Sequence, residues 1–160
     1  MIVVSDTSPI TYLFQIQQLH LLKSLFETVI IPPNVYDELL EIPEQKAWLK
    51  ENSSNWILVK SVSDKSVVAE FQKLLDKGES EAIALAKELH ADTLLIDETR
   101  GRAIAEKEGL QVTGVVGVLL RAKQQNLVSA VKPLLDILIE KRFRISDKVY
   151  HVVLKSANEL

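Results

Sequence analysis

At 160 residues, 47% hydrophobic and 26% charged, with five Gly and five Pro, the chain has the composition of one soluble domain with a sizeable core. The formal net charge of −3 does not advertise nucleic-acid binding, and the absence of Cys excludes disulfides, thiolate metal sites and cysteine nucleophiles, so any metal would be held by oxygen. No apolar run approaches the roughly 18 residues of a membrane span, and MIVVSD lacks the basic and long apolar regions of a secretory signal, so a cytoplasmic protein with no membrane association is expected.

In chain order, Ile2 to Ser5 reads as a buried strand, and Thr7-Ser8-Pro9 supplies a helix cap followed by Pro in the first turn. Leu19 to Phe26 reads as a helix and Val29 to Ile31 as a second strand. Pro32-Pro33 opens a helix over Asn34 to Glu41 with Val35, Leu39 and Ile42 facing inward. Pro43 to Glu51 reads as helical, Ser53 to Asn55 as a loop and Ile57 to Lys60 as a short strand. Val67 to Leu75 and Glu79 to His90 form a helix pair broken at Lys77-Gly78. Thr93 to Ile96 is the clearest strand, Arg100 to Glu108 is a helix ending at Gly109, and Gln111 to Thr113 is a last short strand. Helices over Val115 to Gln125, Val131 to Glu140 and Ser146 to Ala157 finish the chain.

Strands with near-continuous apolar runs, separated by helices, predict an α/β domain whose parallel sheet is covered on both faces. Ligands in such a sheet bind beyond the carboxyl ends of the strands. Asp6 directly follows the first strand and Asp97 directly follows the clearest later one, so the two carboxylates are expected at one edge. Glu38 sits on the helix after the second strand, and Glu79 follows Gly78 at the start of the helix that runs into the strand before Asp97. Crowded acids repel one another and raise each other's pKa values unless a cation neutralises them, and hard carboxylate oxygens suit Mg²⁺ or Mn²⁺.

Charge is unevenly spread. From Arg121 to Lys155 there are eight Lys or Arg (Arg121, Lys123, Lys132, Lys141, Arg142, Arg144, Lys148, Lys155) against Asp136, Glu140 and Asp147. That asymmetry permits a polyanionic ligand, although an ordinary solvated helix face is the favoured account of most of these charges. His20, His90 and His151 have no partner at metal-binding or triad spacing. Gly114 and Gly117 fall outside both phosphate-loop patterns, and core packing of Trp48 and Trp56 outweighs base stacking.

Asp6-Thr7-Ser8 after the first strand, IPPNVYDELL with Glu38 before Leu39, GESEAIALA followed by HADTLLID, and GLQVTGVVGVLL followed by the basic RFRISDKVY together resemble the PIN-domain family over essentially the whole chain. The late glycine-rich segment is similar to a functionally unannotated prokaryotic PIN subfamily. The resemblance implies a three-layer α/β/α fold with a central, mainly parallel sheet of four to five short strands, in one domain over 1–160 that becomes helical from about residue 115. It also implies a metal-dependent nuclease akin to the VapC-type toxins, which cleave RNA and are held inactive by an antitoxin. Members often form dimers, and Leu13, Leu22 and Leu25 could contribute to such a surface or equally to the core.

Carried over residue by residue, the resemblance implies that Asp6, Glu38, Glu79 and Asp97 are the catalytic, metal-holding acids, with Mg²⁺ or Mn²⁺ as cofactor. GESEAI offers Glu81 as an alternative to Glu79 on a different side of the helix, and the family more often has Asp there. Glu98 could supplement Asp97 or simply start a helix, and Thr7 and Ser8 could orient Asp6 or only cap. Helix capping alone also explains Asp6 and Asp97, and a solvated helix surface explains Glu38 and Glu79. Arg100 and Arg102 stand where a phosphate could pass, while Arg102 with Glu106 at i+4 suits an ion pair.

Overall fold

A computed structural model describes residues 1–160. Its five strands are β1 (Val3–Ser5), β2 (Val29–Ile31), β3 (Ile57–Val59), β4 (Thr93–Leu95) and β5 (Val112–Thr113). Ten helices connect and follow them: α1 (Thr7–Gln15), α2 (His20–Phe26), α3 (Pro33–Leu39), α4 (Pro43–Asn52), α5 (Lys65–Gln72), α6 (Lys77–Glu88), α7 (Thr99–Lys107), α8 (Val115–Gln124), α9 (Lys132–Glu140) and α10 (Asp147–Ser156). The sheet is entirely parallel, in the order β3-β2-β1-β4-β5. No helix is long and apolar enough to cross a membrane.

Alternation along the strands divides the core into two layers of unequal size. Val3, Val29, Ile31, Ile57 and Leu95 pack beneath α1, α2, α4, α8, α9 and α10 in the larger cluster. Val4, Leu94 and Ile96 point the other way, into a smaller cluster with Val68 of α5, Ala82 to Ala86 of α6 and Ala105 of α7. The alanine-rich face of α6 lets that helix lie close against the sheet. Leu13 and Leu22 are fully buried in the larger core and Leu25 packs against it, so the first two cannot form a dimer surface. Trp56 is core as well, its indole N–H donating to Asn52 O at 2.6 Å and its ring meeting Trp48 edge-on.

The break between α5 and α6 lies earlier than Lys77-Gly78, over residues 73–76, and both of those residues belong to the first turn of α6. Asp76 is the reason: its carboxylate accepts the Glu79 N–H at 2.8 Å and caps the helix. Gly78 is a glycine for a different purpose, set by a neighbour from α3.

Candidate active site

From β1 the chain moves outward to β2 and β3, then crosses back to place β4 on the other side of β1 and continues to β5. The connections leaving β1 and β4 therefore diverge, and a crevice opens at their carboxyl ends. Asp6 and Asp97 stand at that crevice. Ser5 pairs with Leu95, the Asp6 N–H donates to Leu95 O at 2.9 Å, and Asp97 lies two residues past β4.

Asp6 is 3% exposed and occupies the N-cap position of α1, yet its side chain makes no capping hydrogen bond. Burial pushes its pKa up to about 7; the nearby Thr7 N–H opposes the rise, and the carboxylates of Glu79, Asp76 and Glu38 add to it. Asp97 does cap a helix, but α8 and not α7: its two oxygens accept the Val115 N–H at 3.1 and 3.2 Å. Burial raises Asp97 to about 6, against the lowering effect of that N–H and of the Arg102 guanidinium.

Glu38 is half-buried on α3, and the hydroxyl of Thr7 donates to its Oε2 at 2.8 Å. Thr7 thus orients Glu38 and not Asp6. Burial again leads the causes that raise the Glu38 pKa, with Asp76, Glu41 and Glu81 contributing repulsion. Glu79 leaves the first turn of α6 and is pushed to about 7, chiefly by burial and then by Asp76, with Glu98 also acting on it.

Glu81 has other work. It is 6% exposed and accepts both the Asn34 N–H at 3.0 Å and the Asn34 side-chain amide at 2.7 Å, tying α6 to the first turn of α3. Its oxygens satisfy a backbone donor that the double proline before Asn34 cannot provide for, and the tie fixes the helix that carries Glu38.

Three glycines let the carboxylates sit where they do. A Cβ on Gly78 would collide with Glu38 Oε1, one on Gly101 would lie 2.8 Å from Glu79 Oε2, and one on Gly114 would strike Asp97 Oδ1 while standing 2.8 Å from Arg102 Nη1. Each glycine lies near the start of a helix other than the element that carries the acid it accommodates, so its role is invisible to local sequence rules.

The two arginines part company. Arg102 donates to Ile96 O at 3.1 Å and flanks Asp97, whereas Arg100 reaches away to Leu74 O at 3.3 Å; no ion pair joins Arg102 to Glu106. Glu98 is exposed at the N-cap position of α7 without a side-chain cap. Ser8 lines a shallow depression with Thr7 and Glu38. Asp76, which touches Asp6, Glu38 and Glu79 electrostatically, is the acid that sequence reading missed. Its signal was present as Asp-Lys-Gly-Glu, a capping-box spacing at a helix start. No three of these acids stand close enough to share a single ion, and no histidine joins them.

A family model described as a PIN domain matches residues 2–159. Among solved structures, a PilT N-terminus domain protein from the hyperthermophilic archaeon Sulfolobus solfataricus P2 is similar, with a TM-score of 0.57 and 19% identity over 76% of this chain and 93% of that one. At that identity the likeness bears on the fold alone. No curated protein matches the chain.

Proposed function

Since the chain belongs to the PIN-domain family, whose members are generally nucleases, we propose that it is a metal-dependent endoribonuclease that hydrolyses phosphodiester bonds at the Asp6–Asp97 crevice. The observation that carries this reading is the pair of carboxylates at the ends of adjacent strands at the sheet's switch point, with Glu38 and Glu79 beside Asp6 and burial holding Asp6 and Asp97 well above their ordinary pKa values. A fold gains nothing by burying several acids together, and a divalent cation is the ordinary remedy. The donors are all hard oxygens, which fits Mg²⁺ or Mn²⁺. Because the acids do not close on a single point, such an ion would rest on one or two carboxylates and keep several waters, the usual habit of Mg²⁺. When bound, it supplies an activated water and charge neutralisation at the phosphate. Asp6 and Asp97 would hold it, with Glu38 and Glu79 at the rim.

The same spacing of the acids supports a second reading, a PIN fold that binds RNA or a protein without cutting. The VapC-like extension, a cytoplasmic toxin restrained by an antitoxin protein, rests on the resemblance of the acidic segments and basic tail. Cleavage of a fluorescent single-stranded RNA with Mg²⁺, with Mn²⁺ and with EDTA separates the two readings. Turnover that EDTA abolishes is expected; RNA binding without turnover under any metal would establish the module instead.

Gly78→Ala supplies a sharper check on Glu38. The added methyl meets the movable end of a side chain, and alanine is the better helix former by roughly 0.5–1 kcal/mol, so folding should be nearly neutral. The carboxylate must nonetheless swing away from Thr7. Cleavage is expected to fall about tenfold or more while Tm stays within about 2 °C of the parent; unchanged turnover would remove Glu38 from the site.

A further inference from the structure

A cleft of about 580 Å³ begins at Asp97 and runs between β5, the start of α8 and the segment leading into α10. It is lined by Arg102 and Arg144 and by the apolar side chains of Phe143, Ile145 and Val149, the last 47% exposed. Asp97 is the only acid that lines it, so on a protein of net charge −3 this passage is locally basic.

We infer that this cleft is the subsite for a nucleotide of single-stranded RNA adjoining the bond to be cut, with Arg144 and Arg102 taking its phosphates and the Phe143–Val149 wall taking its base. The inference rests on the ribonuclease reading and extends it to the path of the strand. Arg144 is the residue that singles out the cleft. Among the other cations of the C-terminal part, Lys123 pairs with Glu159, Lys132 pairs with Asp136 and Arg121 stands over the Phe26 ring, while Lys141, Arg142, Lys148 and Lys155 are unpaired but do not line the cleft. Arg144 has no carboxylate partner and no side-chain hydrogen bond.

Its mounting is nevertheless firm. Phe143 meets Tyr12 of α1 edge-on at 5.1 Å and donates its N–H to Leu138 O at 2.9 Å, while Ser146 caps α10 by accepting the Val149 N–H at 3.1 Å. An unpaired guanidinium on an anchored segment, lining the same cleft as a second guanidinium beside Asp97, suits the repeated charge of a phosphodiester chain. Apolar side chains lining the same cleft suit a base that is free of its stack, which selects a single strand over a duplex.

The test measures binding of a labelled single-stranded RNA to the full chain carrying Asp6→Asn, which removes cutting, alone and combined with Arg144→Ala, Arg144→Lys or Val149→Glu. Arg144→Ala is expected to weaken binding roughly fivefold to tenfold and to lower the log–log salt slope by about 0.7, the share of one single-strand phosphate contact. Arg144→Lys should keep the slope, and Val149→Glu should weaken binding by placing a charge on the base wall. In the cutting protein, Arg144→Ala should raise KM with kcat nearly unchanged. Equal affinity and slope for Arg144→Ala, or no RNA binding by the parent, would overturn the subsite. If RNA binds in an Arg144-dependent way but no metal produces cutting, the ribonuclease reading fails and the cleft stands as a binding site; cutting that is indifferent to Arg144 does the reverse.

Discussion

Asp6→Asn should abolish metal-dependent cleavage and, in the same protein, raise the melting temperature of the metal-free fold at pH 8. The loss follows from removing the best-buried carboxylate at the crevice and is expected to be on the order of a thousandfold. The gain follows from linkage. Burial lifts the Asp6 pKa from 3.8 to about 7 in the folded chain, so between these values the native state holds a proton that the unfolded chain has released. Stability from this group is fully present below the unfolded value and is lost as the pH rises through the folded one. Glu79, raised from 4.5 to about 7, and Asp97, raised from 3.8 to about 6, act in the same direction.

The metal-free protein should therefore melt higher at pH 5.5 than at pH 8. Asparagine at position 6 removes the charge that the fold pays most to bury, flattening that dependence and raising Tm at pH 8 by roughly 5 °C. Mn²⁺ should raise Tm of the parent more at pH 8 than at pH 5.5, because it replaces the proton, and should do less for the variant. Differential scanning fluorimetry across pH, with Mn²⁺ and with EDTA, reads all of this. A parent that melts lower at pH 5.5 than at pH 8 would contradict the assignment of a buried, raised Asp6.

The second large effect separates two glutamates two residues apart. Glu81→Ala should destabilise the protein by about 2–4 kcal/mol, a fall in Tm of roughly 5–10 °C, since it removes two charge-assisted bonds to Asn34 and strands a backbone N–H at the start of α3. Glu79→Gln should leave Tm unchanged or slightly higher and remove most cleavage. Activity lost in Glu81→Ala should return on cooling or with added metal, because Glu38 is displaced and not deleted. The opposite pattern, a stable but inactive Glu81→Ala beside an active Glu79→Gln, would exchange their roles.

The edge on which the acids meet was readable in the sequence, because short apolar runs alternating with helices point to a parallel sheet, and residues that directly follow such strands share an edge. Asp6 and Asp97 emerge from that rule alone. Which of Glu79 and Glu81 faces the crevice did not, because the answer is fixed by Asn34, 47 residues away in the chain from Glu81. Thr7 resembled a helix-start residue and proved to serve Glu38 across 31 residues. The break expected at Lys77-Gly78 falls earlier for a related reason: by local rules glycine reads as a stop, whereas Gly78 clears space for a carboxylate arriving from α3. Local chemistry predicts elements; it does not report which distant side chain needs the room.

The pairing of β1 with β4 joins Val3 to Thr93, and the Ile2 N–H donates to the Asp92 carboxylate across 90 residues of chain. Closing so long a loop costs more chain entropy than forming the local helices, so this pairing is expected to follow them in folding. A chain emerging from the ribosome therefore carries Asp6 for most of its synthesis without the strand that brings Asp97 beside it. A protein able to cut RNA would thus be harmless to the message and the ribosome that are making it, and would become competent only as the second half of the sheet docks.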